Sequence, residues 1–217
     1  LSIRAAEDFI HAGYPVDAEA ILLCELDGVE ADVHDDCARV SEVLKLAGAT
    51  EVRLARDEAE RVRFWAGRKN AFPAVGRISP DYYCMDGTIP RRELPGVLKG
   101  ISDLSEQFGL RVANVFHAGD GNMHPLILFD ANKPGDLQLC EALGADILRL
   151  CVEVGGCLTG EHGVGVEKRD LMGDQYGPDD LAIQMQVKDV FDPGWLLNPA
   201  KVFPLEASAA HRARAAE

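Results

Sequence analysis

The runs Arg111-Val112-Ala113-Asn114-Val115-Phe116, His117-Ala118-Gly119-Asp120-Gly121-Asn122-Met123-His124 and Pro125-Leu126-Ile127-Leu128-Phe129 follow one another without interruption. Both outer runs are apolar and β-prone, and an Asp-Gly pair between two such runs is the strongest short-range signal for a hairpin. A two-residue loop at Asp120-Gly121 pairs Gly119 with Asn122, Ala118 with Met123 and His117 with His124. Directly opposed residues on one face have Cβ atoms about 4.5–5.5 Å apart. That separation suits two imidazole nitrogens meeting at one metal ion; two histidines merely exposed near a turn are the alternative.

Outward from the hairpin, helical and extended patterns alternate. Residues 2–12 predict a helix with Ile3, Ala6 and Ile10 on one face. Residues 19–26 predict a strand, and 30–47 a long amphipathic helix with Val33, Cys37, Val40, Val43, Leu44 and Ala47 inward. A short strand over 51–55 precedes a helix that Asp57 caps and that runs to about residue 71. Residues 72–80 read as a Pro/Gly loop, 81–85 as a strand, Asp86-Gly87 as a turn, and 92–108 as a helix ended by Gly109. After the hairpin comes a helix over 135–154 with Leu137, Cys140, Leu143, Ile147 and Leu150 in a stripe. A short extended run at 157–159, helices near 167–171 and 179–191, and a tail expected to fray over 206–217 complete the chain. The pattern is α+β: a ferredoxin-like antiparallel sheet with helices on one face, plus a C-terminal helical segment.

A 47% hydrophobic content over 217 residues supports a sizeable core and excludes a disordered chain. With 22 Lys and Arg against 36 Asp and Glu, the net charge of -14 repels nucleic acid and anionic membrane surfaces. Apolar runs fall far short of the roughly 20 residues that span a bilayer, and no signal peptide is visible. The six cysteines form no Cys-x-x-Cys pair and read as buried free thiols of a cytoplasmic protein. The chain opens on Leu1 with helix-like sequence, which reads as one domain over 1–205 cut from a longer protein.

Thr159-Gly160-Glu161-His162-Gly163-Val164-Gly165 is the second informative segment. Its glycines permit close backbone approach, and loops carry a large share of catalytic residues. In extended backbone Glu161 and His162 point to opposite sides, so one could ligate a metal while the other faces substrate. His117, His124 and Glu161 then make a two-histidine, one-carboxylate set with coordination positions left open, and His162 remains as a base. The segment lacks the Walker A ending and the dinucleotide fingerprint. His11, His34 and His211 read as surface residues.

Four segments carry a family resemblance: Trp65-Ala66-Gly67-Arg68-Lys69-Asn70-Ala71, the run from His117 to His124, Gly160-Glu161-His162-Gly163-Val164-Gly165, and Phe191-Asp192-Pro193 with Leu197-Asn198-Pro199-Ala200-Lys201. Together they resemble the C-terminal domain of FAD-linked oxidases of the vanillyl-alcohol oxidase superfamily. The segment 65–90 is most similar to the flavin subunits of bacterial glycolate oxidases. The resemblance covers nearly the whole chain and implies an FAD-dependent 2-hydroxyacid dehydrogenase, oxidising glycolate or D-lactate to the 2-oxo acid with hydride transfer to flavin.

It further implies that FAD is held mainly by an N-terminal domain absent from this chain, over which this domain forms a lid bearing the substrate site. By position it implies His117, His124 and Glu161 as ligands of a divalent metal, zinc-like or iron or manganese. His162 matches the catalytic base and Arg68 the substrate-carboxylate group, with a helix-surface ion pair as the alternative for Arg68. Asn198 and Lys201 match a tail packed near the flavin, with chain anchoring as the alternative. Cys84 stands where 2-hydroxyglutarate-oxidising relatives carry lysine, which argues for a small monocarboxylate. Implied partners are the 2-hydroxy acid, other glycolate oxidase subunits including an iron–sulfur subunit, and a second copy in a homodimer; those subunits could hold the protein at the inner face of the membrane. A stand-alone two-histidine, one-carboxylate metalloenzyme, and a folded domain inactive in isolation, stay open.

Overall fold

The computed structural model describes residues 1–215. The chain divides into two compact units, Ser2–Val75 and the residues from Gly76 onward.

The amino-terminal unit holds α1 (Ser2–Ile10), α2 (Glu30–Leu46), α3 (Glu58–Lys69) and α4 (Ala71–Val75). α1 packs on α3 and α4, and the small side chains Ala5, Ala6, Ala71 and Ala74 are buried. Asp57 caps α3 as its sequence position predicts, its carboxylate accepting the Glu60 amide at 2.8 Å. The Tyr14 hydroxyl donates to the Phe64 carbonyl, and its ring fills the space beside Gly67, where a Cβ would collide with it.

Four expectations are not met in full in this unit. Residues 19–26 and 51–55 are irregular; no strand among the described residues pairs with them, and an extended segment becomes a strand only where a neighbour takes up its N–H and C=O groups. The apolar stripe of α2 is only partly inward: Val33, Cys37, Val40 and Leu44 are half-buried, Val43 is 62% exposed, and no residue of α2 is buried. The loop expected from residue 72 begins with a helical turn instead, because Pro73 falls in the first turn of α4, where its missing N–H breaks no helical bond.

The second unit contains β1 (Asp81–Cys84), β2 (Gly87–Thr88), α5 (Leu94–Phe108), β3 (Val112–His117), β4 (Asn122–Phe129), α6 (Asp136–Glu153), α7 (Met172–Gln175), α8 (Pro178–Phe191) and α9 (Leu205–Ala215). β4 is the central strand of an open antiparallel sheet, with β3 on one side and β1 and β2 on the other. The α+β class is therefore as the sequence reads. Among the described residues only the bridge between Thr88 and Cys157 extends the sheet beyond β2, so further ferredoxin-like detail rests on one residue pair.

Val97 and Ile101 of α5 and Cys140, Leu143, Ile147 and Leu148 of α6 pack with Met123 and Ile127 in the core. Each fully buried aliphatic side chain there contributes about 1.5–3 kcal/mol. Side chains alternate along a strand, so Asn122, His124 and Leu126 project from the other face of β4.

The hairpin register differs by two residues from the expected one. His117 pairs with Asn122, Phe116 with Met123 and Val115 with His124. The His117 carbonyl accepts the amides of Asp120 at 3.2 Å and Gly121 at 3.0 Å, and Gly121 takes φ +72°. A turn followed by a left-handed residue lengthens the loop to 118–121. A two-residue slip leaves every side chain on its expected face, whereas a one-residue slip would invert them all. His117 and His124 therefore share a face but sit diagonally.

The carboxy-terminal stretch expected to fray from Glu206 is helical through Ala215; residues 216 and 217 lie outside the described residues. His211, read as a surface residue, is buried, with Nε2 2.6 Å from Asp189 of α8. Cys140 and Cys151 are buried thiols, while Cys24 and Cys157 are exposed. No described helix is long and apolar enough to cross a membrane.

Gly109 and Gly121 test the hairpin. Both have positive φ, but a Cβ on Gly109 meets open space while one on Gly121 would be driven into the Ile89 carbonyl. Gly109→Ala should cost about 1–2 kcal/mol for the left-handed backbone alone, and Gly121→Ala clearly more. Urea denaturation of the two variants checks this; equal losses would mean that the Ile89 contact does not constrain the loop.

Candidate metal and catalytic site

Met85 and Asp86, between β1 and β2, set the site from below. His124 projects from β4 and is 3% exposed. Its Nδ1 lies 3.3 Å from the Met85 carbonyl oxygen and its Nε2 2.8 Å from Glu161 Oε1. Both neighbours are acceptors. With Nδ1 donating to Met85, Nε2 presents its lone pair toward the carboxylate, with the Asn122 side-chain nitrogen 3.5 Å away, an arrangement that a cation would complete.

Asp86 is fully buried at 0% exposure and gathers the loop that carries Glu161 and His162. Its Oδ2 accepts from the Thr159 hydroxyl at 2.7 Å and from the amides of Gly160, Glu161 and His162 at 3.0, 3.1 and 2.8 Å. Lys168, 1% exposed, places Nζ 3.2 Å from the same oxygen. Burial alone would raise the Asp86 carboxyl. The Thr159 hydroxyl, the His162 amide and the Lys168 charge outweigh it and hold the group well below the ordinary carboxylate range.

Three consecutive amides turned toward one carboxylate wrap the chain, so Glu161 and His162 do not point to opposite sides as extended backbone would require. Both meet His124: Glu161 through its carboxylate, and His162 by stacking its ring at 5.1 Å and 17°. Asp86, His124, Glu161 and His162 bring ligand atoms within 4.8 Å of one another. Cys84, His124 and His162 make a second such group. Burial, followed by the Asp86 charge, pushes the Cys84 thiol up to about 11, so it stays protonated near neutrality and is a poor ligand. Asp86 Oδ2 is taken up by the loop amides, the Thr159 hydroxyl and the Lys168 ammonium. Nitrogen and carboxylate donors remain, a set that suits zinc, iron or manganese. Beside them the buried Asn122 Oδ1 has no hydrogen-bond partner among the described residues.

Of the residues singled out from sequence, His124, Glu161 and His162 come together. His117, exposed at the end of β3, lies edge-on to His124 with ring centroids 5.5 Å apart and is outside the group that converges within 4.8 Å. Arg68 is half-buried on α3 of the amino-terminal unit. Asn198 and Lys201 are exposed in the segment before α9. Asp86 and Lys168 escape the sequence reading. Asp86-Gly87 carries the ordinary signature of a turn, and the amides that Asp86 binds are 74–76 residues away. The one visible signal is a lone carboxylate in the otherwise uncharged run Tyr82–Ile89.

The model of the family FAD linked oxidases, C-terminal domain, matches residues 1–202. The chain is 73% identical to glycolate oxidase subunit GlcD of Escherichia coli K12 over 94% of its own length and 41% of that relative. It is 32% identical to glycolate oxidase subunit GlcD of Bacillus subtilis, covering 95% of the chain and 44% of the relative. It is also 32% identical to a D-lactate dehydrogenase of Anaerostipes hadrus, over 87% and 41%. The chain thus spans about two fifths of the length of these curated relatives.

The Asp86 carboxyl makes the acid limb of stability testable. A group held below its unfolded value of about 3.9 contributes in full above that pH and loses its contribution as pH falls through the folded value. Asp86→Asn should cost about 3–5 kcal/mol at pH 7, because Lys168 is left buried without its counter-charge. Its stability should also fall less steeply than the wild type's below about pH 4. Urea denaturation from pH 7 to pH 3 reads both; parallel curves would remove Asp86 as the acid-sensitive group.

Proposed function

The chain belongs to the FAD-linked oxidase C-terminal domain family, and from that premise we propose that it is the metal- and substrate-binding part of an FAD-dependent 2-hydroxyacid dehydrogenase, acting on glycolate or D-lactate. The observation that carries the reading is His124 Nε2 facing the Glu161 carboxylate at 2.8 Å while Nδ1 is anchored on Met85. A buried imidazole oriented by a backbone carbonyl and presented to a carboxylate is the arrangement that receives a divalent cation. Membership of an FAD-linked family disfavours the stand-alone metalloenzyme.

His124 and Glu161 hold the ion in this proposal, and His117 completes the set that the resemblance implies. A divalent metal supplies positive charge beside the substrate hydroxyl, and FAD supplies a hydride acceptor. His162 accepts the hydroxyl proton: its ring is stacked on His124 yet exposed, so the proton can pass on to water. Arg68 grips the substrate carboxylate, and a two-point grip selects which Cα–H is presented. Cys84, uncharged beside His124, leaves no cation for a second substrate carboxylate, which favours a small monocarboxylate. FAD is bound mainly outside this chain, with Asn198 and Lys201 near it. Other subunits, an iron–sulfur protein among them, carry electrons onward; the Escherichia coli and Bacillus subtilis relatives are themselves named as subunits.

In the full-length flavoprotein, His162→Ala should slow glycolate-dependent flavin reduction by roughly 10²–10⁴-fold while metal content is kept. His124→Ala should lose the metal. Stopped-flow absorbance and elemental analysis check these outcomes; a wild-type rate in His162→Ala would end the base assignment. The 217-residue chain given glycolate, FAD and a dye acceptor should show no turnover.

A further inference from the structure

Glu161 and His162 are exposed residues in a glycine-rich loop, so side-chain packing does little to hold them. The loop is instead tied at both ends to one carboxylate. At its start, Asp86 binds the Thr159 hydroxyl and the amides of Gly160, Glu161 and His162. Thr159 Oγ1 in turn accepts the Gly163 amide at 2.9 Å. At its end, the Lys168 amide bonds the Val164 carbonyl, while its ammonium lies 3.2 Å from Asp86 Oδ2 and 3.5 Å from the Asp86 carbonyl.

We propose that Asp86 and Lys168 form a positioning pair: Asp86 holds Glu161 in ligating geometry and His162 in place as the base through their backbone, and Lys168 balances the Asp86 charge in that role. This rests on the metal-binding reading above. A carboxylate offers about four lone-pair sites, and five donors already converge on Oδ2 while the Glu161 amide also reaches Oδ1 at 3.2 Å. Asp86 is close enough to be counted among the ligands, and the donors on Oδ2, the ammonium among them, compete with a metal for that oxygen. The pair joins the loop to the same two-residue segment that anchors His124 through Met85. One piece of backbone therefore registers His124, Glu161 and His162 against one another.

The test is isothermal titration of Mn²⁺ and of Zn²⁺ into the 217-residue chain, with thermal melting alongside. Asp86→Asn should weaken binding roughly 10–100-fold, the range for groups that orient metal ligands, and Thr159→Val by a smaller factor. The double variant Asp86→Asn/Lys168→Met leaves no buried unpaired charge. It should recover the melting temperature that Asp86→Asn loses, yet bind as weakly as Asp86→Asn. Ile147→Val, in the core, should lower the melting temperature and leave affinity unchanged. Affinity that simply follows melting temperature across the series would overturn the pair while leaving the metal site standing. A loss in Asp86→Asn as complete as in His124→Ala would make Asp86 a ligand and overturn it as well. If the wild-type chain takes up neither ion, the metal-binding reading falls, and this inference with it.

Discussion

The carboxylate of Asp86 is the constraint on which the site depends. It is buried without exposure and would be costly there if unpaired. Its stabilisation comes entirely from partners supplied by one distant loop: a hydroxyl, three successive amides and an ammonium. The dependence is mutual. The loop has little apolar payload beyond Val164 with which to fix its own course, and among the described residues the carboxylate takes its side-chain hydrogen bonds from this loop and Lys168. Satisfying one buried charge therefore sets the path of residues 159–168, and with it the directions of Glu161 and His162.

The sheet supplies the second fixed point. β4 is covered by α5 and α6 through Met123 and Ile127, and strand alternation turns His124 to the opposite face. There it is nearly buried, with a carbonyl on one ring nitrogen and a carboxylate on the other. The chain as a whole is acidic, at -14, and the site concentrates that character next to imidazole nitrogens. A position for a cation results, and the thiol of Cys84 stays protonated in the same field.

The hairpin shows how far local chemistry reaches. Asp-Gly between two apolar runs announces an antiparallel pair, and the parity of the strand puts His117 and His124 on one face. The loop length is another matter: Gly121 is held at the Ile89 carbonyl, a contact from elsewhere in the chain, and the register moves by two residues. Parity survives the move and adjacency does not, which is why His117 sits diagonal to His124. Segments 19–26 and 51–55 show the converse. Their patterns suit strands, but a strand requires a partner, and pattern alone cannot supply one. His211 reads as a surface residue in an Ala/Arg-rich tail and is buried because Asp189 of α8 receives it.

What the sequence by itself determined is local or periodic: the α+β class, the stripe of α6, the Asp57 cap, the hairpin, and the motifs that carry the family and single out His124, Glu161 and His162. Each depends on residues close in the chain or repeated at a fixed period. What only the tertiary structure decided is which of those groups meet. Asp86 and Lys168 are 82 residues apart, and Asp86 looks like any turn residue until the loop at 159–162 is folded against it. A buried charge must find its donors wherever the chain can bring them, and no spacing in the sequence records that choice.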